Sequence, residues 1–160
     1  MDRVNKIMNH SSYIEAMKKN NSWENDRIYC KHGLEHQLDV ARIAYINILE
    51  QGLKIEKEYV YAIALLHDVG RFMQYEGKMK HNEASALLAK EILSECDFNE
   101  EEILFIVNQI VSHGHETPAT KDVMNDLIDR ADKLSRNCFQ CNGRQTCYWE
   151  ENDKNKGIIV

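Results

Sequence analysis

The residues of this chain with the most chemical potential are His67 and Asp68. They follow one another at the end of its most hydrophobic helical stretch, Tyr59-Val-Tyr-Ala-Ile-Ala-Leu-Leu-His-Asp-Val-Gly-Arg71. The run from Val60 to Leu66 is apolar on nearly every face. That predicts a helix buried in the middle of the protein, running from about Glu56 to Asp68 and stopped by Gly70. A carboxylate and an imidazole in such a place are costly unless something compensates them. A divalent metal ion compensates both, because neutral imidazole and carboxylate are good ligands for zinc, iron or manganese. The plain alternative is a His and an Asp that merely satisfy backbone groups at a helix end.

Other histidines weigh against the plain alternative. His36 lies four residues before Val40 and seven before Ile43, near an apolar helix face, with His32 one turn earlier. His81 shares a face with Ala84, Leu88 and Ile92, and His113 extends the stripe of Ile106 and Ile110. One inward histidine is ordinarily a satisfied core residue. An inward histidine on each of several helices is a pattern that a common metal site explains. Asp132 belongs to a row of i,i+4 pairs, Asp126/Arg130, Asp129/Lys133 and Asp132/Arg136, which read as surface ion pairs of small value. Yet Asp132 borders the apolar face of Met124, Leu127, Ile128, Ala131 and Leu134 more closely than the other two aspartates, so it is the one expected to point inward.

The elements that must position these residues are helical almost everywhere, with no long period-2 alternation. Helices are expected over Val4 to Lys19, about His32 to Glu50, Glu56 to Asp68, His81 to Ser94, a segment opened by Asn99 and closed near Gly114, and Asp122 to Arg136. Asn20-Asn21-Ser22 reads as the end of the first, Trp23 to Lys31 as irregular, and Gly52 as the stop of the second. Asn99 with Glu102 three residues on resembles a capping box. From Cys138 the chain is cysteine-rich and then polar, which reads as a frayed tail.

The length of 160 residues fits one domain spanning 1–160, with the motifs inside 27–136 and a cysteine-containing tail at 137–160. One proline and seven glycines leave few helix breaks. Lys plus Arg is 20 against 26 Asp plus Glu, a net charge of −6, which argues against a nucleic-acid polymer or an anionic membrane as partner. No stretch reaches the ~18 apolar residues of a membrane span, and no apolar signal segment opens the chain, so a cytoplasmic protein is expected. Five cysteines without an export signal read as reduced thiols or metal ligands rather than disulfides.

The order His36 … His67-Asp68 … Asp132 resembles the HD domain superfamily of metal-dependent phosphohydrolases. The likeness extends to His36-Gln-Leu-Asp-Val-Ala41, Leu65-Leu-His-Asp-Val-Gly70 and Arg130-Ala-Asp-Lys-Leu134, and covers roughly residues 27 to 136. It implies an all-α helical bundle with a metal at its centre, held by His36, His67, Asp68 and Asp132. His81 and His113, between the His-Asp pair and the last Asp, resemble the branches in which extra histidines hold a second ion. Diadenosine tetraphosphate hydrolases and HD-GYP cyclic dinucleotide phosphodiesterases are of this kind. The chain departs from both: His113-Gly-His115-Glu116 is followed by Thr-Pro-Ala, with no Gly-Tyr-Pro, and the diadenosine branch is matched in spacing better than in text.

The resemblance implies one or two divalent ions (Fe, Mn, Zn, Ni or Mg) and hydrolysis of a small phosphorylated molecule, a nucleotide foremost, by metal-activated water. Asp68 would then bridge the ions or orient the water as the catalytic carboxylate. Arg27, Arg71 and Lys133 are candidate phosphate contacts, each weighed against a solvated surface charge. Two rivals stand beside this reading: a sensor that binds metal or nucleotide without turnover, and a helical scaffold whose histidines are core residues. Monomer and homodimer are both open. Cys138-x2-Cys141-x5-Cys147 with Cys30 reads either as a second, four-thiolate site holding a structural zinc or an iron–sulfur cluster or as four unlinked thiols in a loose tail. Cys96 reads as a small buried residue.

Overall fold

The computed structural model describes residues 1–114 and 122–159, so His115 lies outside the described residues. Among the described residues there are eight α-helices, one 3₁₀ turn and no strand. The helices are α1 (Asp2–Asn9), α2 (Ser11–Glu24), α3 (Leu34–Glu50), α4 (Lys57–Leu66), α5 (Arg71–Tyr75), α6 (His81–Ser94), α7 (Glu100–Ser112) and α8 (Val123–Leu134), with the 3₁₀ turn at Cys138–Gln140. This is the all-α class expected. No described helix is long and apolar enough to cross a membrane.

Helix α4 is the axle of the bundle. Val60 and every residue from Ala62 to Leu66 are fully buried, as an all-round apolar sequence requires. It packs against α1, α3, α6, α7 and α8. Burying Ile63, Leu65 and Leu66 contributes about 1.5–3 kcal/mol each. Around it, α3 buries Val40, Ala41, Ala44 and Ile48, α6 buries Ala84, Ala89, Ile92 and Leu93, and α7 buries Ile106 and Ile110. Helix α8 buries Met124, Leu127, Ile128 and Ala131. The N-terminus of α7 carries both hydrogen bonds of the expected capping box, Glu102 N to Asn99 Oδ1 and Asn99 N to Glu102 Oε2.

Three expectations about the helices and their ends are corrected. The first helix is two, broken at His10, whose extended backbone (ψ 135°) lets its Nδ1 accept from Ser12 N and start α2. Asn20-Asn21-Ser22 does not end α2, which continues to Glu24. Asn20 is buried because it latches the turn after α4: its Nδ2 donates to the Asp68 and Val69 carbonyls, and its Oδ1 accepts from Phe72 N. Gly70 is not a left-handed helix stop, since its φ is −87°. Glycine is needed there because a Cβ would lie 2.4 Å from Ser85 N and 2.5 Å from Ala84 C, where the turn presses on α6.

The segment after α8 is not frayed. Asn155 is buried and donates Nδ2 to the Lys133 and Arg136 carbonyls, both at 2.8 Å, tying the segment to the end of α8. Tyr29 Oη donates to the Thr146 carbonyl from the other side.

Candidate metal centre

The bundle gathers its histidines at helix ends. His36 stands in the first turn of α3, His67 caps α4, His81 opens α6 and His113 caps α7. Asp68 lies in the turn after α4, and Asp132 in the last turn of α8. His32, just before α3, joins them. Their rings form an arc, with centroids 5.6 Å apart for His32–His36, 5.6 Å for His36–His67, 4.8 Å for His67–His113 and 6.4 Å for His113–His81.

Each ring has a polar group beside its Nδ1. His67 Nδ1 faces the Ala64 carbonyl at 2.7 Å, and His81 Nδ1 faces Gln74 Oε1 at 2.6 Å. Carboxylates face two others: Glu24 Oε1 at 2.5 Å from His32 and Asp129 Oδ1 at 2.6 Å from His113. His36 Nδ1 meets Ser135 Oγ at 3.0 Å. The Ser135 hydroxyl donates to the Asp132 carbonyl, so its oxygen accepts from His36. The rings of His32, His36, His67 and His81 therefore carry their proton on Nδ1 and turn the lone pair of Nε2 inward, the tautomer that outer hydrogen bonds set for metal-binding histidines, while His113 Nδ1 has the Asp129 carboxylate beside it without a formed hydrogen bond.

The five Nε2 atoms converge on two carboxylates. Asp68 Oδ2 lies 3.3 Å from His67 Nε2 and 3.9 Å from His32 Nε2, and its Oδ1 lies 3.7 Å from His81 Nε2. Asp132 Oδ1 lies 3.2 Å from His36 Nε2, and its Oδ2 lies 3.7 Å from His113 Nε2. Among the described residues, His36, His67 and Asp132 bring ligand atoms within 4.8 Å of one another, a possible metal site. His67 Nε2 is fully buried and has no hydrogen-bond partner. Such an orphan is costly, and a cation at this point removes the cost. The donor set of imidazole nitrogens and carboxylates fits a divalent ion of the zinc, iron or manganese type.

Electrostatics agree with a site ready for a cation. Burial pushes His36 and His81 down to about 4, so both are neutral at pH 7. Burial would raise Asp68, but His67 and Arg71 hold it well below the carboxylate range. Burial would likewise raise Asp132, but the neighbouring His36 ring and the Arg136 charge hold it low. His113 is raised although burial opposes this, because Asp129, Asp132 and Asp68 face it. Glu24 is held at about 2 against the opposing effect of burial, by its bonds to His32 and Tyr75.

Of the three basic residues singled out in the sequence, Arg71 reaches the centre, donating Nη1 to Asp68 Oδ1 at 2.6 Å. Arg27 donates instead to the Cys30 carbonyl, and Lys133 pairs with Asp153 at 2.6 Å. Those two are engaged elsewhere. Arg136 was read as half of a surface pair and is buried: its Nη2 donates to Asp132 Oδ1 at 2.7 Å and to His36 Nε2 at 3.0 Å. Sequence reading also missed Glu24, Gln74, Asp129 and Ser135, which orient the rings. Beside His81 and His113 an open cavity of about 690 Å³ is walled by Gln74 and Asn82 and rimmed by Lys78 and Lys80.

The four cysteines singled out also meet. Cys30, Cys138, Cys141 and Cys147 line one small cavity, while Cys96 is buried elsewhere.

The chain is similar in sequence to known proteins. A protein of Clostridium beijerinckii, described only as uncharacterized, is 43% identical over 97% of both chains. Ribonuclease Y of Pseudothermotoga lettingae is 31% identical over 67% of this chain and 19% of its own length. Ribonuclease Y of Ureaplasma parvum is 31% identical over 78% of this chain and 23% of its own length. The chain thus spans about a fifth of the ribonucleases it matches. No solved structure matches it. The HD domain model matches residues 33–137, the span that runs from the foot of α3 past Asp132. The chain belongs to the HD domain family of metal-dependent phosphohydrolases.

Proposed function

We propose that this protein is a metal-dependent phosphohydrolase acting on a small phosphorylated substrate, a nucleotide foremost. The observation that carries the reading is the set of five imidazoles whose Nε2 atoms converge on Asp68 and Asp132 around the orphaned His67 Nε2. His36, His67, Asp68 and Asp132 would hold one ion, and His81 and His113 with Asp68 a second. When bound, such ions supply a water acidified towards neutral pH and positive charge for phosphoryl oxygens.

The chain's own groups do the rest. Asp68 presents both oxygens to the centre, and Arg71 fixes its orientation through Oδ1 while adding charge that a phosphoryl oxygen can meet. The substrate approaches through the cavity beside His81 and His113, where Lys78 and Lys80 attract an anion. Its volume of about 690 Å³ suits a nucleotide-sized molecule. The names of the ribonuclease relatives point to a phosphodiester bond as the target. The net charge of −6 favours a small substrate over a polymer.

A second reading, a binding sensor without turnover, is favoured by one contact: the Arg136 guanidinium already bonds His36 Nε2 and Asp132 Oδ1 where a ligand set needs both. Hydrolysis of bis-p-nitrophenyl phosphate and of a nucleotide panel, with manganese or iron supplied, separates the two. The hydrolase reading expects turnover that Asp68→Asn lowers by about 10³-fold or more. Metal and nucleotide binding with no hydrolysis of any of these compounds would select the sensor.

A further inference from the structure

The C-terminal segment is held by something other than an apolar core. Between residues 141 and 159 no aliphatic or aromatic side chain is buried, and Tyr148 is 77% and Ile158 88% exposed. Yet the segment keeps one course over the ends of α3 and α8. Gly143 comes so close to the chain before α3 that a Cβ would lie 3.0 Å from the Ile28 carbonyl oxygen and 3.1 Å from Tyr29 Cδ1. That approach brings the turn between Cys141 and Cys147 against Cys30.

Four thiols from two distant stretches of chain therefore face a single enclosed space of about 10 Å³, which has room for one water molecule or one ion. All four are free cysteines. Arg144 and Lys154 also line the space, so negative charge gathered there is countered. Four thiolates and one divalent ion carry 2 − 4 = −2, the sign these cations suit.

We propose that Cys30, Cys138, Cys141 and Cys147 form a four-thiolate site for a single zinc-type ion, which docks residues 138–159 onto the bundle. The small cavity suits one ion; an iron–sulfur cluster, with several iron and sulfide atoms, needs far more space. The site has a consequence for the histidine centre. Arg136, two residues before Cys138, donates to the Lys31 carbonyl, one residue after Cys30, as well as to His36 and Asp132. Docking the segment thus fixes Arg136 at the edge of the other site. The proposal does not depend on hydrolysis.

Cobalt(II) is the probe. The cobalt-loaded wild-type protein should show intense near-ultraviolet thiolate-to-cobalt bands. They should persist in His67→Ala and vanish in Cys141→Ser, which should hold one equivalent less zinc per chain. Should Cys141→Ser fail to fold, thiol titration of native wild-type protein decides: four thiols should become reactive only after chelation. Absent sulfur bands in cobalt-loaded wild type, bands unchanged in Cys141→Ser, or four thiols reactive before chelation would overturn the proposal. Acid-labile sulfide with iron in the purified protein would overturn the single-ion assignment.

Discussion

The histidine centre and the cysteine segment are built in opposite ways. Five rings are oriented by groups that the helices themselves supply: the Ala64 carbonyl, Gln74, Glu24, Asp129 and Ser135. The scaffold around them has a dense apolar core, with α4 at its axis. The cysteine segment has turns, one short 3₁₀ element and no buried apolar side chain past Cys138. In the first region the fold organises the ligands; in the second the ligands must organise the fold. Metal binding to a preformed site costs little ordering, whereas metal binding to an unformed one is itself folding free energy.

Chelation should break the two regions apart, and this is the largest effect expected. Stripped of metal, the bundle should keep its helical circular dichroism while residues 138–159 become sensitive to protease. Loss of helix and tail protection together would mean that the regions are not distinct.

Gly70→Ala strikes the scaffold rather than either set of ligands. Its Cβ would meet backbone atoms of α6 at 2.4–2.5 Å, so the turn carrying His67 and Asp68 must shift. A loss of about 3 kcal/mol in chemical denaturation is expected. A loss below ~0.5 kcal/mol would show that α6 does not bear on the turn.

Asn20→Ala should cost about 2 kcal/mol, since it orphans the Phe72 amide and the Asp68 and Val69 carbonyls in a buried site. Unchanged stability would remove Asn20 from the support of the centre.

The smallest effect is on pH dependence in the metal-free protein. Burial holds His36 and His81 at about 4 and lowers His32, while unfolded imidazoles titrate near ~6.5. Below that value the unfolded chain takes up protons that these three rings refuse. Stability should therefore fall as pH drops from ~6.5 towards 4, with His113 opposing because its affinity is raised. Stability that is flat or rising over that window would mean that the rings are not held neutral.

Most of the first region was legible in the sequence because its signals are local. An all-round apolar run betrays a central helix, and histidines at i+3 and i+4 from buried aliphatics betray inward rings. The residues that orient those rings left no such trace. Glu24 follows Asn20-Asn21-Ser22, a polar run that reads as a loop, and is drawn into α2 by contacts with His32 and Tyr75 that lie 8 and 51 residues away. Gly70 looked like a helix stop, and only the distance to α6 reveals why glycine is there. Arg136 looked like an exposed i,i+4 partner of Asp132, because spacing alone cannot tell that its guanidinium also turns in to the Lys31 carbonyl and His36 Nε2. Lys133, next to Asp132 in sequence, points the other way, to Asp153. The cysteine spacing suggested a thiolate site, and the meeting with Cys30 depends on a close approach at Gly143 that no periodicity encodes.

The central claim is that the inward Nε2 atoms exist to hold a cation, and His67 tests it most directly because its Nε2 is buried without a partner. Bound metal should be measured by elemental analysis in wild type and in His67→Ala, with circular dichroism as the check on folding. A folded His67→Ala protein that has lost the histidine-centre metal and its hydrolytic activity, while keeping the equivalent bound by the cysteines, is the predicted result. A folded variant with full metal occupancy would contradict the account.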